Sequence, residues 1–160
     1  MAKYSRRDYL IRLAIGLIGT PYVWGGNFPF EGLDCSGFVN FVYKTFGLLP
    51  PGDRTANDIY DYFRANSRAS TFIMYADNIH YSVLAPGDLA FYGPTNRISH
   101  IAVYMGEKDN VPMIIGANGG GSSTTSFEKA KAIDARVKIA PLHYRKDLLA
   151  IIGVDFNADI

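Results

Sequence analysis

The stretch Leu33-Asp34-Cys35-Ser36-Gly37-Phe38-Val39 contains the only cysteine of the 160-residue chain, and its pattern predicts that this cysteine lies in the first turn of a helix. Asp34 is a suitable N-cap, and apolar residues recur after it at intervals of four along one face. At a helix N-terminus, unpaired N–H groups and the helix dipole lower a thiol pKa and can hold an oxyanion. The stretch therefore predicts a nucleophilic Cys35 with a low pKa, against the simpler alternative of a small buried apolar residue.

Four segments of the chain, taken in order, closely resemble the NlpC/P60 family of papain-like cysteine peptidases. Members of that family have a PYxWGG segment, then DCSGF on a helix, then PGDLxF at the start of the sheet, then SHxxxYxG on a strand. The resemblance extends over roughly residues 8 to 155. In this chain the matching segments are Thr20-Pro21-Tyr22-Val23-Trp24-Gly25-Gly26, the cysteine stretch, Leu84-Ala85-Pro86-Gly87-Asp88-Leu89-Ala90-Phe91 and Ile98-Ser99-His100-Ile101-Ala102-Val103-Tyr104-Met105-Gly106.

The resemblance implies a role for each residue that matches a functional position of the family. Cys35 would be the nucleophile and His100 the base, and the hydroxyl of Tyr22 would point at the nucleophile. Asp34 and Ser36 match positions that line the pocket and bind the free amino end of a peptidoglycan stem peptide. The implied reaction is hydrolysis of such a peptide, most often between γ-D-glutamate and the following diamino acid.

The third catalytic residue is where the chain departs from the commonest family pattern. Many relatives have a second histidine at the position that Gly116 occupies here, and glycine cannot orient an imidazole. Asn118 lies two residues further and on the same strand face, and its side-chain carbonyl can accept a hydrogen bond from the Nδ1–H group of the imidazole. Asn118-Gly119 is equally a turn signal, so we keep both interpretations of Asn118. A backbone carbonyl is a further candidate for the same role.

The order of predicted elements is helices first and then strands, which is typical of an α+β fold. We expect N-terminal helices packed on a five- or six-stranded antiparallel sheet. The predicted helices run from a cap at Ser5 to near Gly19, from Cys35 to about Phe46, and from Ala56 to Ala65 after a cap at Thr55. The predicted strands are Asp88 to Tyr92, Ser99 to Met105, Pro112 to Gly116, Arg136 to Ala140 and Leu149 to Val154.

Three segments permit more than one interpretation. In the loop from Thr20 to Gly32, the aromatic side chains of Trp24, Phe28 and Phe30 either form a small satellite core or contact substrate, and we include Trp24 in the candidate binding set. Residues 66–84 form an extra segment flanking the site, within which 71–75 is either a short strand or a buried turn. The Gly-rich and Ser-rich residues 119–125 are expected to form a mobile loop.

Composition limits the classes of partner. The chain has 16 basic and 15 acidic residues and a formal net charge of +1, so neither nucleic acid nor membrane insertion is expected. One cysteine and three histidines without metal-ligand spacing predict no metal and no cofactor, and His80 and His143 are expected on the surface. The length fits one catalytic domain over residues 1–160.

The N-terminal basic and apolar residues imitate a signal peptide, but Arg12 interrupts the apolar run and the spacing is helical. We therefore expect a chain that is cytoplasmic as synthesised or associated with a virion, with phage tail proteins as further candidate partners. Two other functions use the same fold. One is acyl transfer or amidation by Cys35 and His100, and the other is a non-enzymatic tail or wall-binding module.

Overall fold

The computed structural model describes residues 3–158, which form helices packed on an antiparallel sheet. This confirms the predicted α+β class. None of the helices in this part of the chain has the length and apolar character needed to cross a membrane. The helices are α1 (Arg6–Gly16), α2 (Cys35–Thr45), α3 (Ala56–Ala65) and the short α4 (Phe127–Ala132), together with 3-10 turns at Tyr81–Val83 and Leu142–Tyr144.

The first three helices begin at side-chain caps that the sequence predicts. Ser5 caps α1 and Thr55 caps α3, and each is completed by an aspartate at the third helical position in a capping box. Asp34 caps α2 by accepting a hydrogen bond from the backbone N–H of Gly37 at 2.7 Å. At the other end of α2, Gly47 has φ of +63°, which is the conformation expected of a residue that ends a helix.

The main sheet has six antiparallel strands in the order β3-β8-β4-β5-β6-β7. The structure decides one open question, because residues 70–75 form an edge strand that pairs with the last strand of the chain. A separate two-stranded ladder joins β1 and β2 within the loop after α1. The bounds are β1 Asn27–Phe28, β2 Gly32–Leu33, β3 Ser70–Tyr75, β4 Leu89–Tyr92, β5 His100–Lys108, β6 Val111–Asn118, β7 Arg136–Pro141 and β8 Leu148–Val154.

The two faces of the main sheet pack against different parts of the chain. Helices α1, α2 and α3 pack on the face that includes Phe91, Ile101 and Val103 in one large apolar cluster. On the opposite face a smaller cluster includes Tyr92 and Ala102 and is closed by Leu142 from the second 3-10 turn. Successive residues of a strand point to opposite faces, so His100 lies on the face of the smaller cluster.

The ladder between β5 and β6 stops before the end of either strand. It extends from Lys108↔Val111 to Val103↔Ile115, so residues 100–102 and 116–118 lie beyond its last pair. The N-terminal turn of α2 packs against this end of β5 and β6. The sheet therefore leaves a notch where a helix N-terminus meets the strand end at His100.

Two elements lie outside the predicted set. The sequence predicts an irregular loop from Thr20 to Gly32, and the structure adds the short β1–β2 ladder within it. The helix α4 follows the Gly-rich segment and begins at the cap Ser126. The two-residue strands β1 and β2 are too short for alternation to be readable in a sequence, and the six-residue α4 is too short for helical periodicity.

Asp88 of the PGD segment is a buried carboxylate that connects three parts of the fold. Its oxygens accept hydrogen bonds from the backbone N–H groups of Ala85 at 2.9 Å and Val154 at 3.2 Å, and from the Arg7 guanidinium at 3.4 Å. Arg7 also donates to the carbonyl of Pro86. Asp88 thus joins α1, the turn before β4 and the end of β8.

Asp88→Ala should lower the free energy of unfolding by about 3 kcal/mol, because two buried N–H groups and one guanidinium would lose their acceptor. Asp88→Asn keeps one oxygen acceptor and should lose less. Urea denaturation measures both. The matched control is Asp53→Ala, which removes an exposed carboxylate 3.3 Å from Lys44 and should change stability by less than about 0.5 kcal/mol. Equal effects at the two positions would contradict a structural role for Asp88.

Candidate active site

Cys35 is the first residue of α2, and its thiol is directed into the notch at the end of β5. The side chain is only 8% exposed. The sulfur is close to three backbone N–H groups, which belong to Ile101, Ser36 and Cys35 itself. Each of these groups favours the thiolate and so lowers the thiol pKa. Because Ile101 directly follows His100, this contact places the sulfur beside the strand residue that the sequence predicts as the base.

The prediction of a low thiol pKa is wrong for this structure. Burial raises the pKa of Cys35 to about 11, and the nearby negative charge of Asp34 raises it further, in opposition to the three N–H groups. The sequence pattern shows the helix N-terminus but not the depth at which it is buried. Cys35 is therefore a neutral thiol at physiological pH in the protein without substrate.

His100 is the first residue of β5 and is 6% exposed. Its Nε2 atom lies 3.1 Å from Oδ1 of Asn118. Burial lowers the pKa of His100 to about 4, and the positive charge of Arg145 contributes in the same direction, whereas the bond to Asn118 and the charge of Asp147 oppose the shift. The imidazole is therefore neutral near pH 7 and can accept a proton.

Asn118, at the end of β6, makes the predicted hydrogen bond to the imidazole of His100, but at Nε2 and not at the predicted Nδ1. Its Nδ2 donates to the backbone carbonyl of Lys138 at 3.3 Å, which turns Oδ1 toward the ring. Gly119 follows with φ of +91°, so a turn also begins here. The two interpretations of Asn118 are therefore compatible: the residue contacts the imidazole and precedes the turn.

Tyr144 is a residue of this site that sequence reasoning missed. Its hydroxyl lies 2.8 Å from Nε2 of His100 and 3.2 Å from Oδ1 of Asn118. Tyr144 ends the 3-10 turn after β7 and belongs to none of the four motif segments. Its proximity arises only from the packing of that turn against the sheet, and we find no sequence signal that could have identified it.

Tyr22 lies where the resemblance places it, close to the cysteine. Its side chain is buried, and burial raises its pKa, with further contributions from the negative charge of Asp34 and, at alkaline pH, from the Cys35 thiolate. A Cβ at Gly120 would lie 2.2 Å from the Tyr22 ring, so only glycine fits there. The Gly-rich segment is thus packed on the site, and the backbone N–H of Trp24 donates to Thr124 at 2.8 Å. These contacts do not fit the expectation of a mobile loop.

The remaining members of the candidate binding set differ in exposure. Asp34 and Ser36 are half-buried beside the cysteine, and the Ser36 hydroxyl donates to Oδ1 of Asp34 at 3.1 Å. Trp24, Phe28 and Phe30 are 54%, 60% and 95% exposed. The satellite-core alternative is therefore wrong for these three aromatic residues.

In the described part of the chain, the other two histidines make no hydrogen bond to Cys35, His100 or Asn118. His80 and His143 are exposed, as predicted, and Nε2 of His143 lies 2.7 Å from the hydroxyl of Tyr81. A groove of about 640 Å³ between α3 and the end of β3 includes Tyr60 and Tyr75 but none of the three residues Cys35, His100 and Asn118. Within residues 3–158 no cluster of three or more His, Cys, Asp or Glu side chains could hold a metal ion.

The chain belongs to the NlpC/P60 family, whose model matches residues 19–136, which is more than half of the chain. Among curated proteins, it is 39% identical over 94 residues to the probable endopeptidase YafL of Escherichia coli strain K12, covering 56% of this chain and 32% of YafL. It is 37% identical over 91 residues to the murein DD-endopeptidase MepH of the same strain, covering 56% of this chain and 29% of MepH. The chain thus corresponds to about a third of the length of these two relatives.

Among solved structures, the chain is similar to the NlpC/p60 domain of the peptidoglycan hydrolase SagA. The TM-score is 0.60 at 25% identity, over 91% of this chain and 97% of that domain. The fold and the relatives together place the chain in a family that includes peptidoglycan endopeptidases.

Native Cys35 should react slowly with iodoacetamide at pH 7, because a pKa of about 11 in place of 9.0 reduces the thiolate population about a hundredfold. Unfolding in concentrated urea should restore the rate of an ordinary cysteine. Comparing the two rates between pH 6 and pH 9 tests this expectation. Rapid labelling of the native protein at pH 6 would instead indicate a thiolate stabilised by a protonated His100.

Buried His100 should make the protein less stable as the pH falls from about 6.5 to about 4. The unfolded chain binds a proton at this histidine near pH 6.5, whereas the native ring does so only near pH 4, so acid favours the unfolded state. The loss at pH 5 should be about 2 kcal/mol.

Urea denaturation at pH 7 and pH 5 measures this loss, and His100→Gln should remove it while leaving the contributions of other groups. His80→Gln, at an exposed histidine, is the matched control and should keep the wild-type pH dependence. If His100→Gln and wild type lose equal stability between the two pH values, the native His100 pKa is not lowered.

Proposed function

We propose that this chain is a cysteine endopeptidase that hydrolyses peptidoglycan stem peptides at the bond between γ-D-glutamate and the following diamino acid. The observation that supports this proposal most is that the ends of α2, β5 and β6 bring Cys35, His100 and Asn118 together. Cys35 at the start of α2 lies at the N–H of Ile101, next to His100, and His100 is hydrogen-bonded to Asn118 at 3.1 Å. A nucleophile, a base and an orienting group in this order suit acyl transfer through a thioester.

In the proposed reaction, the thiol of Cys35 gives its proton to His100 while the sulfur forms a bond to the scissile carbonyl carbon. Both hydrogen bonds of the ring lie at Nε2, so Nδ1 is the nitrogen available to the thiol. The oxyanion that forms can accept hydrogen bonds from unpaired N–H groups of the first turn of α2. The imidazolium then protonates the leaving amine as the C–N bond breaks, and water hydrolyses the thioester with His100 as base.

The surroundings of the cysteine support recognition of a peptide with a free amino end. Asp34 accepts hydrogen bonds from Gly37 at 2.7 Å, from Ser36 at 3.1 Å and from Gly25 at 2.9 Å. A carboxylate has about four acceptor positions, so one remains for an ammonium group. Trp24 is exposed at the same loop and offers an aromatic surface beside it.

Purified peptidoglycan digested with the protein should release fragments whose masses correspond to cleavage after γ-D-glutamate. Mass spectrometry separates this outcome from the DD cleavage named for MepH, which leaves different termini. Incorporation of an added amine into the product would indicate acyl transfer in place of hydrolysis. Binding to the wall without any release would indicate a non-enzymatic module.

Variants of Cys35, His100 and Asn118 should differ in how far they reduce turnover. Cys35→Ala and His100→Ala should reduce turnover to background, because they remove the nucleophile and the base. Asn118→Ala removes an orienting bond without removing a reacting group, so kcat should fall by about tenfold with little change in KM. His143→Ala, at an exposed histidine, is the control and should keep wild-type activity. Full activity of a folded His100→Ala variant would contradict the proposed mechanism.

A further inference from the structure

The hydroxyl of Tyr144 completes a three-membered hydrogen-bonding group with His100 and Asn118. Its distances are 2.8 Å to Nε2 of the ring and 3.2 Å to Oδ1 of the amide, and Nε2 and Oδ1 are themselves 3.1 Å apart. All three atoms are therefore in mutual hydrogen-bond contact. Tyr144 lies outside the motif segments and outside residues 19–136, the part of the chain that matches the family model.

The position of Tyr144 is determined by a buried residue of the same sheet face. Tyr92 donates its hydroxyl to the backbone carbonyl of Leu142 at 2.8 Å, which anchors the 3-10 turn. The ring of Tyr92 then packs edge-on against Tyr144 at 5.8 Å and in a tilted arrangement against His100 at 5.6 Å between centroids. Tyr92 is fully buried and Tyr144 is 38% exposed, so the phenol is held beside the imidazole by a buried ring while part of its own surface faces solvent.

The donors and acceptors of this group are all satisfied with only one imidazole tautomer. The bond from Nδ2 to the carbonyl of Lys138 directs Oδ1 of Asn118 toward the ring, and Oδ1 can only accept. If the ring proton is on Nε2, it is shared between Oδ1 and the Tyr144 oxygen, while the Tyr144 proton is donated to Oδ1. If the proton is on Nδ1, the Tyr144 hydroxyl can donate to Nε2 at 2.8 Å, but the lone pairs of Nε2 and Oδ1 then face each other 3.1 Å apart, and Oδ1 receives a proton from neither the ring nor Tyr144.

We propose that Tyr144 is a positioning residue which, together with Asn118, keeps the ring proton of His100 on Nε2 and so leaves Nδ1 as the basic nitrogen for Cys35. This inference rests on the proposed function for its catalytic meaning, but the tautomer itself is a property of the protein without substrate. When the ring accepts the thiol proton, the Nε2–H group becomes a stronger donor, and the Tyr144 oxygen stabilises the resulting imidazolium.

The test is Tyr144→Phe, which removes the hydroxyl and retains the ring. Losing one neutral hydrogen bond to the base should lower kcat about threefold to tenfold with KM unchanged. In the free protein at pH 7, ¹⁵N NMR of the imidazole should show a single Nε2–H tautomer for wild type and a mixture for the variant. Thermal unfolding establishes that the variant is folded.

The matched control is Tyr81→Phe, which removes a hydroxyl that lies 2.7 Å from Nε2 of another histidine, His143. His143 belongs to the same 3-10 turn as Tyr144. It should leave kcat and the His100 tautomer unchanged. An unaltered His100 spectrum in Tyr144→Phe would overturn the proposal, and so would an equal loss of kcat in Tyr81→Phe. If wild type cleaves no peptidoglycan, the proposed function fails, and the NMR comparison still decides whether Tyr144 sets the tautomer.

Discussion

The contact between the backbones of Gly26 and Gly37 is the constraint on which the rest of the site depends. A Cβ on Gly37 would lie 1.9 Å from the carbonyl oxygen of Gly26, so the loop after α1 and the first turn of α2 touch without any side chain between them. Asp34 reinforces the contact, because its two oxygens accept from Gly37 at 2.7 Å and from Gly25 at 2.9 Å. The position of Cys35 is therefore determined by the loop as much as by its own helix.

Burial in this close packing also determines the protonation states of the Cys35 thiol and the His100 imidazole. A helix N-terminus stabilises a negative charge by about 0.3 to 1 kcal/mol, and by about 2 kcal/mol in favourable cases. The rise in the thiol pKa from 9.0 to about 11 corresponds to about 3 kcal/mol in the opposite direction, so burial, together with the charge of Asp34, outweighs the dipole. The same burial keeps His100 neutral. Under the proposed mechanism, the proton therefore moves as the sulfur–carbon bond forms, and no ion pair needs to exist beforehand.

Local signals made most of the fold predictable from the sequence. The cap at Ser5 depends on neighbouring residues only, and strand alternation placed Asn118 on the face of Gly116, the position that the family resemblance marked for an orienting residue. The properties that escaped prediction depend on distant packing. The depth at which Cys35 is buried and the approach of Tyr144 both require the assembled sheet, and no pattern within a few residues encodes either of them.

Gly116 packs closely against the other residues around His100. A Cβ at position 116 would lie 3.1 Å from Oδ1 of Asn118 and 3.2 Å from the Cβ of Ala102, which is tighter than ordinary side-chain contacts. A side chain at 116 would therefore require Oδ1 of Asn118 or the Cβ of Ala102 to shift by a few tenths of an ångström. With glycine there, Oδ1 keeps its place and the hydroxyl of Tyr144 approaches the same ring nitrogen. The orienting bond from Asn118 therefore depends on the absence of a side chain at 116 as well as on the amide itself.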